Sequence, residues 1–238
     1  YWIIGYTFVL QIKPAKHPFT FLNKLYAVMK QSLFVAMITL ALLFNMNSTL
    51  KATDLVVNTG GAGGTYASLN AAITAASSGD RIIIYPSANG ASYMEGTISI
   101  TKSLQILSAN EGAFYTIDGN INVTPAAAGM SLTIIGMKLI TGGIQSTIAA
   151  PTGARCVINL LNDSIMTGGA SFNHDNYNVT TASCFIDNGI IMRFGKVLGN
   201  YFNSSVTVNT DGSVNNPTDT LMIIGNKINY YTSGNAGG

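Results

Sequence analysis

The chain has 238 residues, of which 9% are charged and 47% are hydrophobic, and 25 are glycine. This apolar content is sufficient for a core and excludes an intrinsically disordered chain. The formal net charge is +2, but five lysines precede Thr53 without any acid, and after Thr53 seven basic residues face ten acidic ones, so 7 − 10 gives −3. A mildly acidic folded part excludes a nucleic-acid partner, which requires a basic face.

The first 52 residues divide into two segments that precede the folded part. Residues 29–52 begin with Met29-Lys30, continue with the 12-residue apolar run 33–44 and end in a polar tail closed by Ala52. This order is typical of a secretory signal peptide, and the apolar run is shorter than the roughly 20 residues that span a bilayer. We therefore expect a secreted or cell-surface protein with no membrane span in the mature chain. Residues 1–28 do not start with Met, and we expect them to be upstream sequence rather than native protein.

The stretch 65–86 predicts a short helix followed by a buried strand. Apolar residues at helical spacing share one face: Leu69, Ala72, Ile73 and Ala76. Either Thr65 or Ser68 can cap the start of this helix, and Gly79 is placed to end it. The β-branched run at 82–85 is typical of a strand that is covered on both faces, as in parallel sheets.

A local pattern then recurs: two or more apolar residues, a pivot, one or two variable residues and another apolar residue. The pivots are Gly136, Asn162, Asp187, Gly199 and Gly225. Their spacings of 26, 25, 12 and 26 residues indicate a period of about 25, with half a period between the third and fourth pivots. Gly, Asn and Asp reach positive φ at low cost, so each pivot is predicted to be a sharp bend between two strands. An Asn there is also expected to bond the equivalent Asn one coil away.

The order of these elements resembles the amino-terminal half of the pectin-lyase-like superfamily of right-handed parallel β-helices. The matching stretches are Tyr66-Ala-Ser-Leu-Asn-Ala-Ala-Ile, Ser78-Gly-Asp-Arg-Ile-Ile-Ile-Tyr-Pro, Ile98-Ser-Ile-Thr-Lys-Ser-Leu-Gln-Ile-Leu and Leu132-Thr-Ile-Ile-Gly. The resemblance covers about residues 54–231. It implies an all-β fold over 53–238, a right-handed parallel β-helix solenoid with an N-terminal amphipathic capping helix. Because the stack would end at Gly238 without a cap, we expect this domain to be C-terminally incomplete.

The resemblance implies much less about chemistry, because the superfamily includes lyases, hydrolases, adhesins and surface proteins of unknown role. Its lyases use Arg or Lys as a base, often beside Ca²⁺, and its hydrolases use paired acids. No two acids lie at i, i+2 spacing, so no single strand offers such a pair. Asp187, Arg193 and Lys196 form the densest charged group and are the candidate catalytic residues, with a solvated corner as the alternative.

Aromatic side chains in turn-rich stretches suggest sugar binding, because their faces suit the apolar C–H faces of sugars. His174, Tyr177 and Tyr201 are the candidate binding residues, with packing inside the coils as the alternative. Two cysteines, Cys156 and Cys184, are compatible with a disulfide or with small buried residues in neighbouring coils. No metal-ligand spacing accompanies them.

Taken as a whole, the sequence favours a secreted or cell-surface β-helix that engages a polysaccharide or cell-surface glycan, or adheres, without catalysis. The alternative is a polysaccharide lyase that cleaves an acidic glycan by β-elimination. A structural or adhesive spacer with the same fold is a third reading, which differs by its lack of glycan binding. No cofactor is expected, except Ca²⁺ if the protein is a lyase.

Overall fold

The computed structural model describes residues 52–59, 65–209 and 221–229. The segment 1–28, all of the predicted signal peptide except Ala52, and the glycine run 60–64 lie outside these residues. The described elements are β1 (Asp54–Val57), α1 (Leu69–Ala75), β2 (Arg81–Ile84), β3 (Tyr93–Ile100), β4 (Leu104–Ser108), β5 (Tyr115–Val123), β6 (Ser131–Ile135), β7 (Met137–Thr141), β8 (Ile144–Gln145), β9 (Cys156–Leu161), β10 (Ser164–Ile165), β11 (Ala170–Phe172), β12 (Tyr177–Ala182), β13 (Phe185–Ile186), β14 (Ile190–Met192), β15 (Gly195–Leu198), β16 (Tyr201–Phe202), β17 (Val206–Val208), β18 (Leu221–Ile224) and β19 (Lys227–Ile228).

These strands form two parallel sheets. The front sheet has eight strands in the order β1-β2-β4-β6-β9-β12-β15-β18. In the second sheet the long strand β5 pairs with both β7 and β8, and from there the sheet continues as two ladders. The first ladder is β7-β10-β13-β16-β19 and the second ladder is β8-β11-β14-β17. The chain therefore winds through about seven turns, and the expected all-β parallel β-helix is confirmed.

The core lies between the inner faces of the sheets, where side chains at equivalent positions of successive coils stack on one another. In the front sheet Ile82, Ile106, Ile134 and Leu160 stand in register, and each is at most 1% exposed. Burying each such side chain contributes about 1.5–3 kcal/mol relative to leaving it exposed. The expectation that residues 82–85 are covered on both faces is wrong. Ile83 points away from the core and is half-buried, because a single-layered coil has its core on one side only.

Helix α1 caps the N-terminal end of the stack, as predicted. Ser68 is its N-cap, and the Ser68 side chain accepts a hydrogen bond from the Ala71 N–H at 3.2 Å. Glu95, from the following coil, accepts hydrogen bonds from the first two N–H groups of the helix. At the other end Lys102 Nζ donates to the carbonyl oxygens of Ile73 and Ala76. Both charges oppose the partial charge of the helix end that they contact.

The end of α1 differs from the prediction. The helix stops at Ala75 with Ala76 as its C-cap in extended conformation, so Gly79 does not end it. Gly79 has φ +99° and instead forms the turn that leads into β2. Its N–H donates to the Ser103 carbonyl of the next coil at 2.8 Å.

Sharp bends at positive φ connect the front sheet to the first ladder. They occur at Gly136, Asn162, Gly199 and Gly225, as predicted, and at Ser183, which has φ 56°. Asp187 is therefore not a pivot. Strand register gives coils of 26, 21, 16 and 26 residues between successive bends, through the pairs 135–161, 161–182, 182–198 and 198–224. The proposed half period is wrong, because the 16-residue step is one complete short coil.

A column of inward-facing residues follows the bends, one position later: Met137, Asp163, Cys184, Asn200 and Asn226. The Asn200 N–H and Nδ2 both donate to Asn226 Oδ1, at 2.8 and 3.0 Å. The predicted Asn-to-Asn bond between coils thus exists, next to the bends rather than at them. Cys184 and Cys156 are free and buried, and they belong to different columns.

Candidate functional site

The three candidate catalytic residues lie on different parts of the coil. Asp187 follows β13 in the first ladder, where Asn203 Nδ2 donates to it at 3.0 Å. Lys196 is exposed on the outer face of the front sheet, in β15. Arg193 lies between β14 and β15 and forms an ion pair with Asp175 at 2.5 Å, with 15% of its side chain exposed. Asp187 and Lys196 thus lie on two different sheets, and Arg193 is paired with Asp175 instead of with either of them.

Among the candidate binding residues, Tyr177 lies inside the coil. It is fully buried, and its hydroxyl is 2.6 Å from Ser146 Oγ and 3.2 Å from the Ile148 carbonyl, to which it donates. Burial is the main cause that raises the pKa of Tyr177. His174 is half-buried, with its ring 6.4 Å from that of Tyr177. The Tyr177 ring therefore packs in the core, as the alternative proposed, and no face of it is presented to a ligand.

Tyr201 occupies the outer face of the first ladder. Its ring stacks on Phe185, its register partner one coil earlier, with centroids 5.5 Å apart and planes 17° apart. Lys227, one coil later, places Nζ 5.1 Å from the centre of the Tyr201 ring, and Asn229 Nδ2 donates to the Tyr201 hydroxyl. Both rings are half-buried. We call Phe185, Tyr201 and Lys227 the aromatic platform.

Polar groups surround the aromatic platform. In the same outward column, two coils before Phe185, lies Lys138, and Ser164 comes between them. The adjacent outward positions carry the hydrogen-bonded pair Asp187 and Asn203. Successive groups in a column are about 4.8 Å apart, which is the spacing of strands in a sheet. The arrangement combines apolar ring faces with evenly spaced donors and acceptors along the stack.

Sequence reasoning found Tyr201 and missed its partner Phe185. The signal was present in the pattern Cys184-Phe-Ile, which is the coil equivalent of Asn200-Tyr-Phe. It was hidden because that pattern was aligned on Asp187 instead of Ser183. With the bend at Ser183, Phe185 and Tyr201 both fall two residues after a bend, and both point outward.

Within residues 52–59, 65–209 and 221–229, no group of three or more His, Cys, Asp or Glu side chains could hold a metal ion. Over the same ranges, no helix has the length and apolarity needed to cross a membrane. Comparisons of the chain with protein-family models, with curated proteins and with solved structures find no match. The parallel stack of strands therefore identifies the fold, and the geometry of the surface is what points to a function.

Proposed function

We propose that this protein is a secreted or cell-surface β-helix that binds glycan chains at the aromatic platform without catalysing a reaction on them. The observation that carries this proposal is the stacked pair of Phe185 and Tyr201 on the outer face of the coil. Of the other rings in the described residues, Tyr115, Phe172, Tyr177 and Phe202 are fully buried, while Tyr85 and Phe114 are 45% and 39% exposed. What distinguishes Phe185 and Tyr201 is that they stack on each other outside the core.

Carbohydrate recognition supplies a reason for this arrangement. A sugar ring presents a C–H face that packs on an aromatic ring, and its equatorial hydroxyls bond to polar groups at the ring edge. The Tyr201 ring lies between Phe185 of the coil before and Lys227 of the coil after, so a sugar would pack on the outward edge of the stacked rings, with Asn229 at the Tyr201 hydroxyl and Lys227 beside it. The column continues for two coils through polar side chains, so more than one sugar of a polymer can be contacted. The resemblance to a superfamily that includes polysaccharide-acting enzymes supports a carbohydrate polymer as the ligand.

The test is affinity electrophoresis in gels that contain soluble polysaccharides, both acidic and neutral, with the wild-type chain and with variants. Removing one ring in Phe185→Ala or Tyr201→Ala is expected to weaken binding about two- to tenfold, because a stacked aromatic contact is worth about 0.5–1.5 kcal/mol. The matched control is Phe114→Ala, which removes a 39% exposed ring elsewhere. Retardation that is equal in all variants, or absent for every glycan, would contradict the proposal and favour a structural spacer.

A further inference from the structure

The outer face of the front sheet carries a continuous aliphatic column. One residue per strand points outward in register: Val56, Ile83, Leu107, Ile135, Leu161 and Leu198. Ala182 fills the position before Leu198, and Ile224, which is 58% exposed, follows it. The others are half-buried, and none belongs to the core cluster. We call this column of eight residues the aliphatic stripe.

From this stripe we infer that the front sheet is an interface between two copies of this chain. The stripe extends over seven coil steps, which is about 34 Å at a strand spacing of about 4.8 Å. Its eight positions include no charged or polar side chain. A single exposed leucine needs no explanation, but a contiguous apolar patch of this length is typical of a protein contact.

The repeat of the stripe favours a β-sheet as its occupant. A helix lying along the stack rises about 5.4 Å per turn, so over seven steps it would drift by about 4 Å, almost one whole coil. A second parallel stack has the same spacing and stays in register throughout. Two sheets that meet face to face pack about 10 Å apart with interdigitated side chains. A copy of this chain presents a face with the required repeat.

The charges beside the stripe fit an antiparallel pair. The neighbouring outward column begins with Asp54 and Arg81, which form an ion pair at 2.6 Å, and ends near Lys196, with uncharged residues between. A two-fold axis through the β6 coil places Lys196 of one copy opposite Asp54 of the other, while Arg81 faces Thr180. It also places Ile135 opposite itself. No like charges meet in this arrangement.

The available area matches the lower range of stable interfaces. Strands of four to six residues make the face about 13–20 Å wide at about 3.3 Å per residue. Over about 34 Å this gives roughly 450–680 Å² per copy, or roughly 900–1,350 Å² in total. Specific interfaces bury about 1,200–2,000 Å². We therefore expect a reversible dimer rather than an obligate one.

The experiment is light scattering after size exclusion, on the full chain and without glycan, so that it is independent of the proposed function. The wild type is expected to dimerise, and Ile135→Lys and Leu161→Lys are expected to raise the dissociation constant at least tenfold with unchanged circular dichroism. The matched control is Ile191→Lys, which changes a 38% exposed isoleucine on the second ladder and should leave the dimer intact. A wild type that is monomeric at every concentration, or a dimer that survives both stripe variants, would overturn the inference.

A cross-linking experiment tests the inferred interface even if a stripe variant fails to fold. Thr133 lies beside Ile135 near the inferred two-fold axis, so two copies of Thr133→Cys should be joined by a short bismaleimide, which spans facing sheets better than a disulfide does. The native cysteines are buried and should not react. Ser171→Cys, on the outer face of the second ladder, is the control. Absence of dimer from Thr133→Cys, or equal dimer from both variants, would refute the interface.

Discussion

The substitution Asp163→Asn tests how the stack tolerates a carboxyl group in its interior. Asp163 is 1% exposed, and its Oδ1 accepts a hydrogen bond from the Met137 N–H at 2.8 Å. Its Oδ2 is buried without a hydrogen-bond partner, and so is the hydroxyl of Tyr115 in the same column. Two coils later the equivalent position is Asn200, whose Nδ2 donates to the Thr181 carbonyl. An Asn at 163 keeps the acceptor and adds a donor.

The sign of the pH effect follows from the burial of this carboxyl. Desolvation raises the pKa of Asp163 well above its usual range, although backbone hydrogen bonds oppose the shift. A group with a raised folded pKa contributes its stability below its unfolded pKa of about 3.9 and loses that contribution as pH rises toward the folded pKa. In that window the wild type loses about 1.4 kcal/mol of unfolding free energy per pH unit. The Asn variant has no such loss.

At pH 5 the expected gain for Asp163→Asn is about 1–3 kcal/mol, the cost of one buried polar group without a partner, and it grows by up to about 1.4 kcal/mol for each further pH unit below the folded pKa. For a domain of this size each kcal/mol raises Tm by about 2–4 °C. Urea unfolding followed by circular dichroism at pH 5, 6, 7 and 8 measures the difference, which should grow with pH. Asp187→Asn, at a partly exposed carboxylate, is the control and should show little change. A variant less stable than the wild type at pH 7, or a difference that is flat from pH 5 to 8, would refute the reasoning.

Two further predictions concern packing and catalysis. In Gly168→Ala the new Cβ would lie 2.0 Å from the Gly142 carbonyl oxygen, so we expect the free energy of unfolding to fall by more than about 3 kcal/mol. In the control Gly112→Ala no atom lies within 4 Å of the new Cβ, and only the positive φ costs energy, so we expect a fall of about 1 kcal/mol. Equal losses in urea unfolding would contradict this. With pectate, alginate or chondroitin we expect no ultraviolet-absorbing unsaturated sugar from the chain. Activity that vanished in Arg193→Ala and Lys196→Ala would instead establish the lyase alternative.

The sequence predicted those parts of the architecture in which the conformational preferences of the local residues agree with the fold. The cap helix was found because four apolar residues share a face and Ser68 precedes them. Four of five bends were found because Gly and Asn adopt positive φ easily. The fifth was misplaced because Ser183 adopts φ 56°, which is uncommon for Ser, while Asp187 nearby has the residue type that such bends favour.

The surface sites were harder to predict, because the strands that carry them are short. β13 and β16 have two residues each, and two residues cannot show the alternation that distinguishes inward from outward side chains. Only the register of the stack shows that Phe185 and Tyr201 point outward while Tyr177 points inward. The aliphatic stripe was likewise concealed, since Ile83 and Leu107 in runs of apolar residues resemble core positions.

The aromatic platform lies on a face of the coils that short connections join to its neighbours. At the corner that leads back into the front sheet, the connection shrinks from ten residues (146–155) to four (173–176) and then to two (193–194). The two faces that flank the first ladder are joined to it by connections of at most four residues throughout the coils from β6 to β17. Among the described residues of these coils, no connection longer than four residues therefore borders Phe185 and Tyr201. A linear polymer can lie along the column across several coils, which a pocket closed by loops would prevent.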